Sequence, residues 1–170
     1  VKIFLTGATG FIGSHFLKHC LAAGHSVMCS VRSPQQANAI RALGASPWEG
    51  DLQNPGELIL DLAGFDVLIH AAGCRDVAAP PEALEKNNTI LTQRVVDAAA
   101  TAGVARFIHI STASVVMGDP APLLSATESS PMVLRDYLPY IRSKALAEAS
   151  VLAVQQSTMK VVVLRPSFVW

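Results

Sequence analysis

The sequence predicts an α/β fold: a doubly wound parallel sheet of order 3-2-1-4-5-6 with helices on both faces. Short β-branched or apolar runs alternate with longer helical patterns, each run bounded by Gly, Pro, Asp or Asn, as βαβ units require. Hydrophobic residues make up 51% of the chain and charged residues 15%, the balance of parallel strands covered on both sides. The 170 residues suffice for one domain with a sizeable core.

The first strand is Lys2–Thr6, and the helix after it, Phe11–Ala23, is stopped by Gly24. A second strand, Ser26–Val31, leads to a helix over Pro34–Leu43, with proline at its first turn and Gly44 past its end. Ser46–Glu49 is the third strand, and Pro55–Leu62 the short helix behind it. The fourth strand, Asp66–Ala71, precedes the longest helical pattern, Ala83–Ala102, ended by Gly103. Arg106–Ile110 and Lys160–Leu164 are the fifth and sixth strands, joined through a helix over Pro139–Gln156. Regular alternation of this kind implies right-handed crossovers in one sheet. The long irregular stretch Met117–Leu138 exceeds an ordinary connection and is expected to be functional, as a flap over a substrate.

Composition excludes several function classes. Thirteen basic residues balance thirteen acidic ones without a Lys/Arg cluster, so there is no electrostatic footprint for nucleic acid or an anionic membrane. Three cysteines, Cys20, Cys29 and Cys74, lack a CxxC spacing, which points to a reducing cytoplasm and to neither disulfides nor zinc. His15 and His19 are i,i+4 neighbours without a third ligand, so no metal is expected. Neither an eighteen-residue apolar run nor a signal-peptide layout occurs.

The turn Thr6-Gly7-Ala8-Thr9-Gly10-Phe11-Ile12-Gly13 follows the first strand and opens the first helix. Gly7 permits the tight turn, Gly10 removes a side chain that would block phosphates, and Gly13 lets helix pack on strand. The helix N-terminus adds free N–H groups and a positive dipole end. Gly7, Thr9, Gly10, Phe11, Ile12 and Gly13 are therefore the candidate seat of a dinucleotide in a Rossmann-type domain. At the end of the second strand a carboxylate would accept from the adenosine ribose, whereas an arginine would pair with a 2′-phosphate. The segment is Val31-Arg32-Ser33-Pro34, and Arg32 favours NADP over NAD.

Tyr140 and Lys144 stand at i and i+4, on one helix face. Hydride exchange with a carbinol needs an acid or base on the substrate oxygen, and an ordinary phenol is too weak a base near neutrality. A nearby ammonium favours phenolate, and Lys144 can also hold nicotinamide ribose hydroxyls. Tyr137 has Ile141 four residues on and is no alternative.

The glycine turn, the Tyr140-Ile141-Arg142-Ser143-Lys144 run and the Ser111-Thr112-Ala113-Ser114-Val115-Val116 run after the fifth strand together resemble the extended short-chain dehydrogenases and reductases. That group includes sugar-nucleotide epimerases, dihydroflavonol reductases and 3β-hydroxysteroid dehydrogenases. The resemblance implies a Ser or Thr hydroxyl on the substrate oxygen opposite the tyrosine: Thr112 by alignment, with Ser114 held in reserve. It implies that Asp51-Leu52 holds the adenine ring, that His70-Ala71-Ala72-Gly73 lies beside the cofactor, and that Asn88, with Asn87 adjacent, is the structural or relay asparagine; the His70 ring alone reads better as a packed strand-end imidazole. Arg32 lies in a stretch that looks like the Val-Arg of the dihydroflavonol-reductase-like members. The closing Leu164-Arg165-Pro166 is similar to the family's LRP segment.

The resemblance further implies a small-molecule substrate, admits a homodimer, and implies a substrate-recognising domain beyond residue 170. With no initiator Met and an end at Trp170, the chain is expected to be the nucleotide-binding piece of a longer protein. The Ser-Thr-Ala-Ser-Val-Val run followed by Tyr140–Glu148 looks closest to the 3β-hydroxysteroid dehydrogenase and 2-alkyl-3-ketone reductase types. Sugar-nucleotide epimerase or dehydratase is the alternative, and a redox-silent NADP sensor or scaffold is the alternative of another class.

Overall fold

The computed structural model describes residues 1–117, 126–154 and 158–169. In chain order the elements are β1 (Lys2–Thr6), α1 (Phe11–Ala22), β2 (Ser26–Ser30), α2 (Pro34–Ala42), β3 (Ser46–Trp48), α3 (Pro55–Asp61) and β4 (Val67–His70). A composite helix follows: α4 (Pro81–Leu84), a π-helical turn (Glu85–Ile90) and α5 (Leu91–Thr101). Then come β5 (Arg106–Ile110), a 3₁₀ turn (Ala113–Val116), α6 (Pro139–Ala153) and β6 (Lys160–Leu164). The six strands form one parallel sheet of order β3-β2-β1-β4-β5-β6, so the sequence reading of topology holds.

Each sheet face buries its own core. Phe4, Leu68 and Phe107 face Leu58 and Leu62 near α3, Val95, Val96 and Ala99 of α5, and Val151 of α6. On the opposite face Ile3, Leu5, Val27, Cys29 and Ile69 meet Leu17 of α1 and Ala37 and Ile40 of α2. Alternate strand residues point to opposite sides, which is why the strands are apolar throughout. Phe4 is boxed edge-on by Trp48 and Phe65, with centroids at 5.4 and 5.7 Å. Among the described residues no helix is long and apolar enough to cross a membrane.

The expected helix ends hold: Gly24, Gly44 and Gly103 have φ of 76°, 88° and 77°, past the ends of α1, α2 and α5. The long helix differs from expectation. It starts at Pro81 and is not uniform, because the π-helical turn places one extra residue in its second turn. Residues 155–157, where the last helix was expected to end, lie outside the described residues, as do 118–125 of the expected flap.

Candidate functional site

The C-terminal ends of β1, β4 and β5 meet at the centre of the sheet, where ligands of doubly wound folds sit. At β1 the turn is tight for steric reasons. Gly7 has φ of 71°, and a Cβ on it would lie 2.6 Å from the Ala71 carbonyl carbon and 2.7 Å from the Ala72 amide. A Cβ on Gly13 would lie 2.1 Å from the Gly7 oxygen, so helix and turn interlock there. Gly10 is different: its Cβ would meet only the Gly7 oxygen, at 3.3 Å. Gly10 is the N-cap of α1 and no side chain caps that helix, so the first-turn amides of Phe11, Ile12 and Gly13 are left for an outside acceptor. Glycine is thus required at 7 and 13 by the protein, whereas at 10 the space it leaves faces outward. Those features fit a bound pyrophosphate. Thr9 and Phe11 are exposed beside that space.

At the β2 end Arg32 is exposed and its amide donates to Gln36 Oε1 at 2.8 Å. Asp51 folds the segment after β3 by accepting from the Gln53 amide at 2.8 Å. Leu52 packs partly buried against the α3/α5 core. Gly50 sits tight on Trp48, whose ring lies 2.3 Å from where a Cβ would be.

At the β4 end the backbone of Ala71, Ala72 and Gly73 lines the turn, while the His70 side chain is committed inside the sheet. Its Nδ1 pairs with Thr6 Oγ1 at 2.8 Å and its Nε2 with Thr92 Oγ1 at 3.0 Å. Burial, then the Lys144 charge, lowers its pKa to about 3, so it is neutral. Thr6 Oγ1 also accepts from the Ala72 amide at 3.2 Å, tying β1 to the segment after β4. His109 stacks on His70, with centroids 5.7 Å apart and planes at 18°, and neither of its ring nitrogens has a hydrogen-bond partner among the described residues.

Asn88 lies in the π-helical turn and is 1% exposed. Its side chain holds Cys74 and also donates from Nδ2 to Ser143 Oγ at 2.9 Å. Ser143 Oγ in turn donates to the Tyr140 carbonyl at 2.8 Å, and Thr89 Oγ1 donates to the Ser143 carbonyl at 3.0 Å. Asn87 instead donates to the Ala83 carbonyl of its own helix. The extra residue of the π turn turns Asn88 inward, onto the loop after β4 and the first turn of α6.

The β5 end carries the hydroxyls. Thr112 is the N-cap of the 3₁₀ turn, and its Oγ1 accepts from the Ser114 amide and donates to Ser114 Oγ, both at 3.3 Å. The two candidate hydroxyls therefore converge on one point. Helix α6 lies directly against this turn, with Ala145 packed on Val115 and Val116. Lys144 Nζ is buried and donates to the Ile110 carbonyl at 2.8 Å. Burial lowers its pKa to about 8 against the opposing charge of Glu148. Tyr140 is half-buried, and its pKa is raised by burial and then by Cys74, opposite to the direction expected from a neighbouring ammonium alone.

Sequence reasoning missed the group behind this surface. Glu148 is fully buried, accepts from Ser111 Oγ at 2.6 Å, and is held by Arg165 through Nε at 3.0 Å and Nη2 at 2.5 Å. Arg165 Nη1 also donates to the Glu128 carbonyl at 3.2 Å, and the Val133 amide donates to the Val115 carbonyl at 2.7 Å. The described part of the expected flap is thereby pinned at two points. A glutamate four residues after Lys144, on the same helix face, was the signal available.

The model of the NAD dependent epimerase/dehydratase family matches residues 3–170. The chain is 37% identical over 170 residues to a 4-hydroxy-2-methyl-3-oxo-4-farnesyl-3,4-dihydroquinoline-1-oxide ketoreductase of Stigmatella aurantiaca, covering all of this chain and 51% of that protein. It is 28% identical to a 2-alkyl-3-oxoalkanoate reductase of Stenotrophomonas maltophilia, again over all of this chain and 51% of the relative. The chain thus spans about half the length of the curated relatives it matches. Among solved structures, a short-chain dehydrogenase/reductase superfamily protein from Agrobacterium tumefaciens with bound NAD superposes with TM-score 0.81 at 26% identity, covering 97% of this chain and 48% of the other. The UDP-Glc/GlcNAc 4-epimerase of Campylobacter jejuni gives TM-score 0.82 at 26% identity, covering 96% of this chain and 52% of the other.

Proposed function

This chain belongs to the NAD dependent epimerase/dehydratase family, and from that premise we propose that it is the nucleotide-binding half of an NADP-dependent ketone reductase or hydroxyl dehydrogenase. The observation that carries the reading is the seating of α6 on the β5 end. Lys144 donates to Ile110 two residues before Thr112, and Ala145 packs on the turn that Thr112 caps. The Tyr140 helix is thereby held against the strand end that carries the Thr112 hydroxyl, which supports a joint role for the two.

In this reading the amides after Gly10 hold the pyrophosphate, and Arg32 pairs with the adenosine 2′-phosphate. Asp51 and Leu52 border the adenine, and the Ala71–Gly73 backbone lies along the dinucleotide. Bound nicotinamide supplies or takes the hydride. Thr112, with Ser114 beside it, donates to the substrate oxygen, and Tyr140 gives that oxygen its proton as the carbonyl is reduced. A phenol whose pKa burial raises stays protonated at neutral pH, which suits the reducing direction. Lys144 orients the ribose and returns the proton to Tyr140, and Asn88 sets the height of α6 through Ser143.

Val77, Met117, Leu134 and Tyr137 are each exposed in the segments after β4 and β5 and before α6, and apolar side chains in the segments that follow the strand ends support a ketone with a hydrocarbon body over a sugar nucleotide. The second reading, sugar-nucleotide epimerase or dehydratase, draws support from the likeness to the Campylobacter jejuni epimerase. The test is turnover by the full-length protein on apolar ketones, alcohols and nucleotide sugars, with Tyr140→Phe as control. Turnover of nucleotide sugars alone would establish the second reading. NADP binding without turnover on any substrate would make the protein a sensor.

A further inference from the structure

Gln36 joins two parts of the proposed cofactor seat that nothing else among the described hydrogen bonds connects directly. It is the third residue of α2, and its amide donates to the N-cap Ser33 Oγ at 3.3 Å. Its Oε1 accepts from the Arg32 amide at 2.8 Å, and its Nε2 donates to Thr9 Oγ1 at 3.4 Å. The first two contacts cap the helix in the manner of a capping box, except that the amide Gln36 reaches back to is that of Arg32, one residue before the N-cap. Capping does not account for the third. That contact leaves the helix and crosses to the glycine turn, on a residue 27 positions away. The side chain thus spans from the strand end where the adenosine ribose is read to the turn where the phosphates approach.

We propose that Gln36 is a specificity-determining residue that admits a phosphate on the adenosine ribose. The inference rests on the reading of this cleft as a dinucleotide seat whose adenosine ribose lies at the end of β2; that Arg32 pairs with the 2′-phosphate is a separate premise of the proposed function. A carboxamide offers an N–H donor on the side facing Thr9 while its oxygen stays on the Arg32 amide. That donor contact, at 3.4 Å, is long and is readily exchanged for a phosphate oxygen. A carboxylate in the same place would still accept from the Arg32 amide, yet it would bring no donor and would set a negative charge against the phosphate. Gln36 therefore does for charge discrimination what an acidic residue at a strand end does in the opposite sense.

Because Glu keeps an acceptor for the Arg32 amide, Gln36→Glu separates charge from fold. In the full-length protein, NADPH and NADH binding would be followed by the cofactors' own fluorescence, with Tm measured alongside. The expected result is a loss of about tenfold or more in NADPH affinity, with NADH affinity held within about twofold. Gln36→Lys should move the ratio the other way. Equal changes in both affinities, or none in either variant, would overturn the proposal and leave Gln36 a helix cap. Arg32→Ala tests the premise separately. If it leaves the ratio unchanged while Gln36→Glu shifts it, the Arg32 reading fails and the Gln36 inference stands. If the wild type binds neither dinucleotide, both fail together.

Discussion

Asn88 holds both backbone groups of Cys74, its Oδ1 accepting from the amide at 2.7 Å and its Nδ2 donating to the carbonyl at 3.0 Å. A side-chain amide that matches a peptide group in this way fixes the loop after β4 as firmly as another strand would. Asn88→Ala leaves a buried donor and acceptor without partners, at a cost of about 1–3 kcal/mol. Asn88→Asp keeps the acceptor and loses the donor to Cys74 and Ser143. Both variants should lower kcat more than they raise KM for cofactor, since they loosen α6 rather than the glycine turn. Urea unfolding with steady-state kinetics checks this, and a pure KM effect would contradict it.

The glycines of the turn should separate fold from binding. Gly10→Ala meets only one oxygen at 3.3 Å, so Tm should change by no more than a few degrees while dinucleotide affinity falls by about tenfold or more. Gly13→Ala places its Cβ 2.1 Å from backbone and should fail to fold well. Thermal melts with and without cofactor distinguish the two. An unaltered affinity in Gly10→Ala would put the phosphates elsewhere.

Burial of Lys144 gives a pH dependence with a definite sign. Its pKa of about 8 in the folded chain lies below the ordinary lysine value, so between them the unfolded chain holds a proton that the native state has released. The Lys144 contribution to stability therefore rises with pH across that window, and the full cost of burying the ammonium is present below about pH 8. Cys29, raised by burial to about 12, and Tyr140, also raised, act in the opposite direction at alkaline pH, so a difference measurement is needed. The stability of Lys144→Met minus that of wild type should fall by roughly 2 kcal/mol between pH 8 and 10, at ~1.4 kcal/mol per pKa unit. A flat or rising difference would show that the ammonium is not buried.

The stacked histidines should govern acid stability. Both are neutral in the fold, His70 at about 3 and His109 well below its ordinary value, chiefly through burial. Below about pH 6.5 the unfolded chain takes up protons that the native state refuses, so stability falls with pH from there downward. His109→Phe, which removes a ring without hydrogen-bond partners, should be neutral or stabilising at pH 7.5 and should lower the acid midpoint. His70→Phe should destabilise, because Thr6 and Thr92 lose their shared partner. Acid titration followed by circular dichroism tests the pair, and identical behaviour of the two variants would refute this reading.

Glu148, fully buried, and Arg165, which still reaches solvent, form an ion pair that should be strongly coupled. Glu148→Ala leaves the Arg165 guanidinium to water and frees Ser111, with an expected loss of about 1–3 kcal/mol. Arg165→Ala, which leaves the buried Glu148 carboxylate without its counter-ion, should cost more, about 3–5 kcal/mol, and the double variant much less than the sum. Denaturant unfolding of all four proteins closes the cycle, and additivity would mean that the two side chains do not act together.

The strands and the glycine turn were legible in the sequence because both are local. Parallel strands buried on two faces read as apolar runs, and Gly7, Gly10 and Gly13 carry their spacing on the chain itself. Long-range partners were not legible. A packed strand-end imidazole is the better reading of the His70 ring, but its partners Thr6 and Thr92, 64 and 22 positions away, could not be read from the chain. Thr112 stands ahead of Ser114 by alignment alone, and in space the two hydroxyls hydrogen-bond to each other. The π turn was invisible because helical periodicity averages over a single inserted residue.

That inserted residue has a consequence for how this chain tolerates length change. A π turn stores one surplus position inside a rod whose two ends are independently anchored, at Leu84 and at Val95 and Val96 in the buried interior. Deleting one position between 85 and 90 returns the winding to ordinary helix without translating either anchor. What it forfeits is the azimuth of Asn88, swung by about 100° away from its targets. An insertion that would be absorbed by a surface loop elsewhere has become, at this spot, the pivot that aims one amide.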